Sequence, residues 1–74
     1  MRIYIQLLGE GTTVWRPVDA ENIEGNVYKI STDSDPAELE EEWAFQPGDL
    51  VLCERHVFSG GSEGVIAVKR FGGV

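Results

Sequence analysis

The carboxylates are the side chains best able to do chemistry, and many of them lie in one stretch. Residues 33–42 hold six of the chain's thirteen acidic residues and no basic one: Asp33, Asp35, Glu38, Glu40, Glu41 and Glu42. This stretch lacks the alternating Asp spacing and the distant bidentate Glu of a calcium-binding loop. It therefore predicts either a solubilising loop or a docking surface for a basic partner, and no metal site.

The single cysteine and the single histidine are the other candidates for chemistry. Cys53 and His56 stand three positions apart, which places them on opposite faces of a strand. One Cys and one His cannot supply four zinc ligands within one chain. A thiol needs an electropositive setting to become reactive, so we expect Cys53 to be buried and inert. We predict no cofactor and no catalytic residue. A small enzyme is the alternative, and it requires a pocket that joins at least two of Asp49, Cys53 and His56.

Aromatic residues close to the acidic stretch could take part in binding. A cluster of aromatic rings beside carboxylates can hold cations on the ring faces. In so small a domain, however, tryptophans are first needed as core volume. We expect at least one of the two in the core, with Trp43 the better candidate for covering one end of the fold. Tyr28 could join the cluster. The predicted binding residues are Trp15, Glu38, Glu40, Glu41, Glu42, Trp43 and Phe45.

Short apolar stretches must position these side chains. Over residues 2–8 polar and apolar residues alternate, and this two-residue period predicts a strand. Apolar stretches at 14–18, 27–32, 50–53 and 65–68 predict four more strands. The glycine-containing residues 9–12 predict a hairpin between the first two strands.

Two prolines carry positional information about the strands and turns. Pro17 has no amide donor, so the second strand should be exposed along one side at this residue. Pro47 and Gly48 suit the two central positions of a type II turn before the fourth strand.

The acidic stretch has the composition of a helix start. Asp35 can cap, Pro36 suits the first helical position, and Glu38 completes a capping box. Leu39 and Trp43 would then share one face. A short helical turn and a loop without fixed structure both remain open, because helices below about 12 residues rarely persist without packing.

Length and charge limit the classes of protein to consider. Seventy-four residues suffice for a single domain over residues 1–74. A net charge of −7 disfavours binding to nucleic acid or to an anionic membrane. The N-terminal alternation is unlike a secretory signal, and one cysteine forms no internal disulfide, so we expect a cytoplasmic protein.

The order of the segments resembles that of a known class of small barrels. Residues 14–20 (Val-Trp-Arg-Pro-Val-Asp-Ala), 27–30 (Val-Tyr-Lys-Ile) and 45–51 (Phe-Gln-Pro-Gly-Asp-Leu-Val) resemble SH3-like barrels of the Tudor and KOW type. The chain is also similar to small uncharacterised bacterial proteins with a Val-Trp-Arg-Pro-Val segment. The resemblance implies an all-β, five-stranded SH3-like small barrel with an acidic loop between strands three and four. It implies no activity, and the paired tryptophans of signalling SH3 domains are absent, so polyproline binding is not implied.

The two ends of the chain resemble a ubiquitin-like β-grasp carrier or modifier protein. Residues 1–5 (Met-Arg-Ile-Tyr-Ile) and 70–73 (Arg-Phe-Gly-Gly) carry this second resemblance. A β-grasp fold needs an amphipathic helix after its first hairpin, whereas residues 22–32 alternate as a strand does and contain Gly25. We keep the β-grasp carrier or modifier protein as the alternative prediction.

Together these features predict a non-enzymatic interaction module. In this prediction the acidic residues 33–42, with the adjoining Trp43 and Phe45, meet a basic protein surface. An edge strand at residues 65–68 could also pair with its copy in a homodimer.

Overall fold

The alternating apolar residues form five strands. The structure is a computed structural model that describes residues 1–33 and 35–72. The strands are β1 (Arg2–Gln6), β2 (Trp15–Glu24), β3 (Val27–Ile30), β4 (Leu50–Val57) and β5 (Glu63–Arg70). No helix occurs in these two ranges. The predicted all-β class and the five strands are confirmed, although β2, β4 and β5 are longer than the sequence pattern indicates.

The strands form one sheet that closes into a ring. Each strand pairs antiparallel with the next one along the chain. The ring closes between β1 and β5, which run parallel and pair at Tyr4 and Ile66. This last pair is parallel because an odd number of strands in a meander returns the chain in its starting direction. Ile66 also faces Glu54 of β4, so at this residue β5 has neighbours on both sides. The free edge expected over residues 65–68 is therefore wrong at Ile66.

The inner face of the ring is the hydrophobic core. Its fully or almost fully buried side chains come from three strands, β1, β3 and β4: Ile3, Ile5, Ile30, Val51 and Cys53. Trp43 joins them from the connection between β3 and β4, with 2% of its surface exposed. It forms a bridge with Leu7, and the Ala44 amide donates to the Gln6 carbonyl at 2.9 Å. The expectation that one tryptophan lies in the core is thus confirmed for Trp43.

Strand β2 is divided between two neighbours. Its first half pairs with β1, from Trp15 to Asp19, and its second half pairs with β3 from Ala20 onward. Pro17 lies in the first half, opposite Tyr4, and is exposed. Pro17, which has no amide donor, therefore lies where β2 has not yet paired with β3. One side of β2 is open at this residue, as predicted.

Gly48 shapes the turn that follows the acidic residues. Gly48 has a φ of 89°, which the third position of a type II turn requires, and the Asp49 amide donates to the Gln46 carbonyl at 3.0 Å. The turn predicted at residues 46–49 is therefore confirmed. It is fastened to β3, because the Gly48 amide donates to the Ile30 carbonyl at 2.8 Å.

The acidic residues form one capped turn. The Asp35 carboxylate accepts a hydrogen bond from the Ala37 amide at 2.9 Å, as an N-cap does. At the other end, the Glu41 amide donates to the Pro36 carbonyl and the Glu40 amide to the Ala37 carbonyl. This bond pair defines a Schellman motif, and Glu40 occupies its left-handed position with a φ of 56°. The single turn is too short to count as a helix.

The structure contradicts the β-grasp alternative. Where that fold needs a helix after the first hairpin, the chain continues as β2 and β3, which pair across the turn at Gly25 and Asn26. Gly73, part of the diglycine that suggested a carrier role, lies outside the described residues. Across residues 1–33 and 35–72, no helix is long and apolar enough to cross a membrane.

Candidate aromatic binding cleft

The strand register places several aromatic residues on the outer face of the ring. Residues directly opposite in an antiparallel pair share a face. The core residues Ile3 and Val18 form one such pair on the inner face. By alternation, Tyr4 and Trp15 on the first two strands face outward, as does His56, which lies opposite Gly64.

These aromatic side chains form one cluster with Phe58. The ring centroids of Tyr4 and Phe58 are 5.0 Å apart, and those of His56 and Phe58 are also 5.0 Å apart, both pairs edge to face. Trp15 lies 5.7 Å from His56 and 6.0 Å from Phe58. All four side chains are half-buried. Such spacings are typical of favourable aromatic pairs, so the cluster both packs and keeps ring surface accessible.

Gly64 makes room for two of the rings. A Cβ atom at this position would lie 2.8 Å from Phe58 Cε2 and 2.8 Å from Tyr4 Cε1. Carbon atoms in favourable contact are about 3.5–4.0 Å apart, so a side chain here would displace the rings. The absence of a side chain at Gly64 thus lets the aromatic cluster lie directly on the backbone of β5.

An open cleft lies beside the cluster. Its volume is about 430 Å³, and its walls are Thr13, Trp15, His56, Phe58 and Ser59. This volume lies within the range of about 300–1,000 Å³ usual for ligand sites. The walls offer aromatic surface and two hydroxyl groups, and no lysine or arginine.

One exposed carboxylate accompanies the cleft on its outward face. Glu54 is two residues before His56 in β4 and therefore shares its outward face. Glu63 lies opposite Val57 and Arg55 lies opposite Val65, so both alternate to the other face of the sheet. Because Glu54 is exposed on the side of the cleft, the surroundings of the cleft favour a positively charged group over an anion.

The four predicted glutamates divide into one structural carboxylate and three exposed ones. Glu41 accepts a hydrogen bond from Arg16 Nε at 3.0 Å and one from Trp43 Nε1 at 3.0 Å, and its second oxygen contacts Arg16 Nη2. The bond from Arg16, followed by the bond from Trp43, lowers the pKa of Glu41 below the usual value for Glu. Glu38, Glu40 and Glu42 are exposed. Of the four predicted glutamates, these three therefore keep their side chains accessible at the surface.

The three predicted aromatic binding residues lie in different surroundings. Trp15 lines the cleft. Trp43 is buried in the core, and Phe45 is half-buried against it, so neither ring lies in the cleft. Tyr4, His56 and Phe58 were not among the residues predicted to bind. The alternation of His56 and Phe58 was a signal that they share a face, but their contact with Trp15 depends on the closure of the ring.

The residues of the enzyme alternative are not brought together. Cys53 lies on the inner face with 2% of its surface exposed, and burial raises the pKa of its thiol to about 11. His56 faces outward, on the other side of the sheet. Asp49 accepts hydrogen bonds from the Gln46 amide and from Arg70 Nη2 at 2.9 and 3.2 Å. In the described part of the chain, no three His, Cys, Asp or Glu side chains are grouped as metal ligands.

Comparison with known proteins adds no family. The chain matches no protein-family model, no curated protein and no solved structure. Its function is therefore argued from the geometry of its own residues.

Proposed function

We propose that the chain is a cytoplasmic, SH3-like interaction module without enzymatic activity that binds a basic segment of another protein. The SH3-like assignment is supported by five strands in meander order that close into a ring. The binding role is supported by one observation above all, which is that Trp15 and its aromatic neighbours line an open cleft in a protein of net charge −7.

The acidic turn and the cleft meet the start of β2 from its two sides. Arg16 follows Trp15 directly, so the two side chains point to opposite faces, and the hydrogen bond from Arg16 to Glu41 holds the acidic turn to this strand. Glu38, Glu40 and Glu42 remain exposed on that turn. The exposed charges would attract a basic segment, while the aromatic cleft would supply the desolvated contact that binding affinity requires.

The proposal is tested by neutralising the exposed glutamates while leaving Glu41 intact. The probe is a fluorescein-labelled synthetic peptide of alternating arginine and serine, and its binding is followed by fluorescence anisotropy. The test variant carries Glu38→Gln, Glu40→Gln and Glu42→Gln. The control variant carries Glu10→Gln, Glu21→Gln and Glu24→Gln, which remove the same charge from other exposed positions. Both variants therefore weaken the general attraction to the same extent.

We expect the test variant to weaken binding about tenfold more than the control does. Exposed ion pairs contribute about 0.2–1 kcal/mol each, so three of them together amount to about one factor of ten in affinity. Equal weakening by the two variants would show that only net charge matters and would overturn the acidic turn as a binding surface. No binding to the unmodified chain would overturn the interaction module itself.

A further inference from the structure

We infer that the Trp15 cleft receives the guanidinium group of an arginine side chain of the partner, which would lie flat on one of the ring surfaces that Trp15 and Phe58 present to the cleft. This inference rests on the proposed function and names the group that the aromatic cleft recognises. It is argued from the walls of the cleft, from the charges around it and from the shape of the cation.

The walls favour a flat, weakly hydrated group. Trp15 and Phe58 present ring surface to the cleft from different directions, with a 70° angle between the ring planes. A planar cation can lie on the face of one ring, where the negative face of the π system attracts it. Thr13 and Ser59 also line the cleft, and their hydroxyl oxygens can accept hydrogen bonds from guanidinium N–H groups.

The charges favour a cation over an anion or a neutral ring. Glu54 is exposed and shares the outward face of β4 with His56, whereas Arg55 and Glu63 alternate to the other face of the sheet. Of the basic residues on β1 and β2, Arg16 is engaged by Glu41, and Arg2 lies opposite Asp19. On the face of the cleft, an incoming cation therefore meets the Glu54 carboxylate, which forms no ion pair within residues 1–33 and 35–72.

Arginine fits these walls better than lysine does. The guanidinium group is planar, stacks on aromatic faces and gives up its hydration more readily than an ammonium group. The cleft is open and shallow enough that a bound cation remains partly hydrated, which favours the more weakly hydrated of the two. We therefore expect an arginine peptide to bind several-fold more tightly than the matched lysine peptide.

Nuclear magnetic resonance provides a direct test because the chain has two tryptophans in different surroundings. The Trp15 indole N–H signal is assigned by its loss in a Trp15→Phe variant. The probes are the arginine-serine peptide and the same peptide with citrulline, the uncharged isostere, in place of arginine. We expect the arginine peptide to shift the Trp15 signal in a saturable way. The Trp43 signal should move little, because its N–H is held by Glu41.

The expected selectivity follows from the strength of the contact. Cation–π attraction at a partly hydrated site corresponds to about a tenfold difference in affinity between arginine and citrulline. Phe58→Leu should reduce this selectivity while Trp15 remains as a reporter. Trp15→Phe should retain part of it, because a smaller aromatic face is still present.

Each outcome of the titration decides between the inference and the function on which it rests. If the arginine peptide binds and depends on Glu38, Glu40 and Glu42 while the Trp15 signal stays fixed, the inference is wrong, and the interaction module stands with the acidic turn alone as its binding surface. If the citrulline peptide shifts the Trp15 signal equally, the cleft selects shape and not charge, and the inference is also wrong. If neither peptide binds, both proposals fail.

Discussion

Replacing Gly64 by alanine tests whether the aromatic cluster lies on the backbone of β5. The new Cβ atom would lie 2.8 Å from both Tyr4 and Phe58, so each ring must retreat by roughly 0.7 Å to reach a normal contact. The two rings already touch edge to face at a centroid distance of 5.0 Å, which limits how far either can turn. Overpacking of this kind costs about 1–3 kcal/mol. Removing a glycine from the unfolded chain returns about 0.4–1 kcal/mol, so the steric cost is larger.

We expect Gly64→Ala to lower the free energy of unfolding by about 1–2 kcal/mol, measured by urea denaturation. In a domain of this size, such a loss corresponds to a fall in melting temperature of roughly 10 °C. Gly60→Ala is the matched control, because nothing lies within 4 Å of its added Cβ and its backbone is not left-handed. The control should leave stability unchanged or raise it by up to about 1 kcal/mol, because it removes a glycine without a clash. Equal stability of the two variants would refute the placement of the rings on Gly64.

Two further predictions concern the acidic turn. Glu40→Gly should raise the free energy of unfolding by about 1 kcal/mol, because Glu40 has a φ of 56° and glycine adopts this conformation without strain, whereas Glu40→Gln should not. Thermal unfolding of both variants checks this, and an equal gain would indicate a charge effect instead. Glu41→Gln should cost about 1 kcal/mol at neutral pH. Because its bonds lower the pKa of Glu41, the stability they provide is complete above the usual Glu pKa and is lost as pH falls through the folded pKa. Urea denaturation should therefore show the difference from the unmodified chain shrinking as the pH falls below the usual Glu pKa and through the lowered pKa of Glu41, and a pH-independent difference would contradict this.

Local patterns were sufficient to predict most of the strands and one turn. Alternation over residues 2–8 predicted β1 because a strand with one buried face needs an apolar side chain at every second residue. Pro47 and Gly48 predicted their turn because the allowed φ values of these two residue types match its central positions. Asp35 predicted a cap for the same local reason, and its carboxylate accepts the Ala37 amide hydrogen bond.

Properties that depend on distant residues could not be predicted from local patterns. The length of β4 and β5 was underestimated, because Glu54, Arg55 and Glu63 are polar and a polar residue in a strand is stabilised by its ladder partner and not by burial. Trp15 and Trp43 are the same residue type, and both belong to the predicted binding site. Their different positions follow from pairing, since Trp43 bridges to Leu7 and Trp15 faces outward opposite Gln6.

The sequence by itself determined the all-β class, the burial of Cys53 and the concentration of negative charge, because each depends on residue type and on neighbours within a few positions. The tertiary structure alone decided that Glu41 is a structural carboxylate and that Trp15, His56 and Phe58 share a cleft. Those contacts join residues far apart in the chain: Glu41 meets Arg16 where the connection between β3 and β4 packs on β2, and the cleft forms where the parallel pairing of β1 with β5 closes the ring.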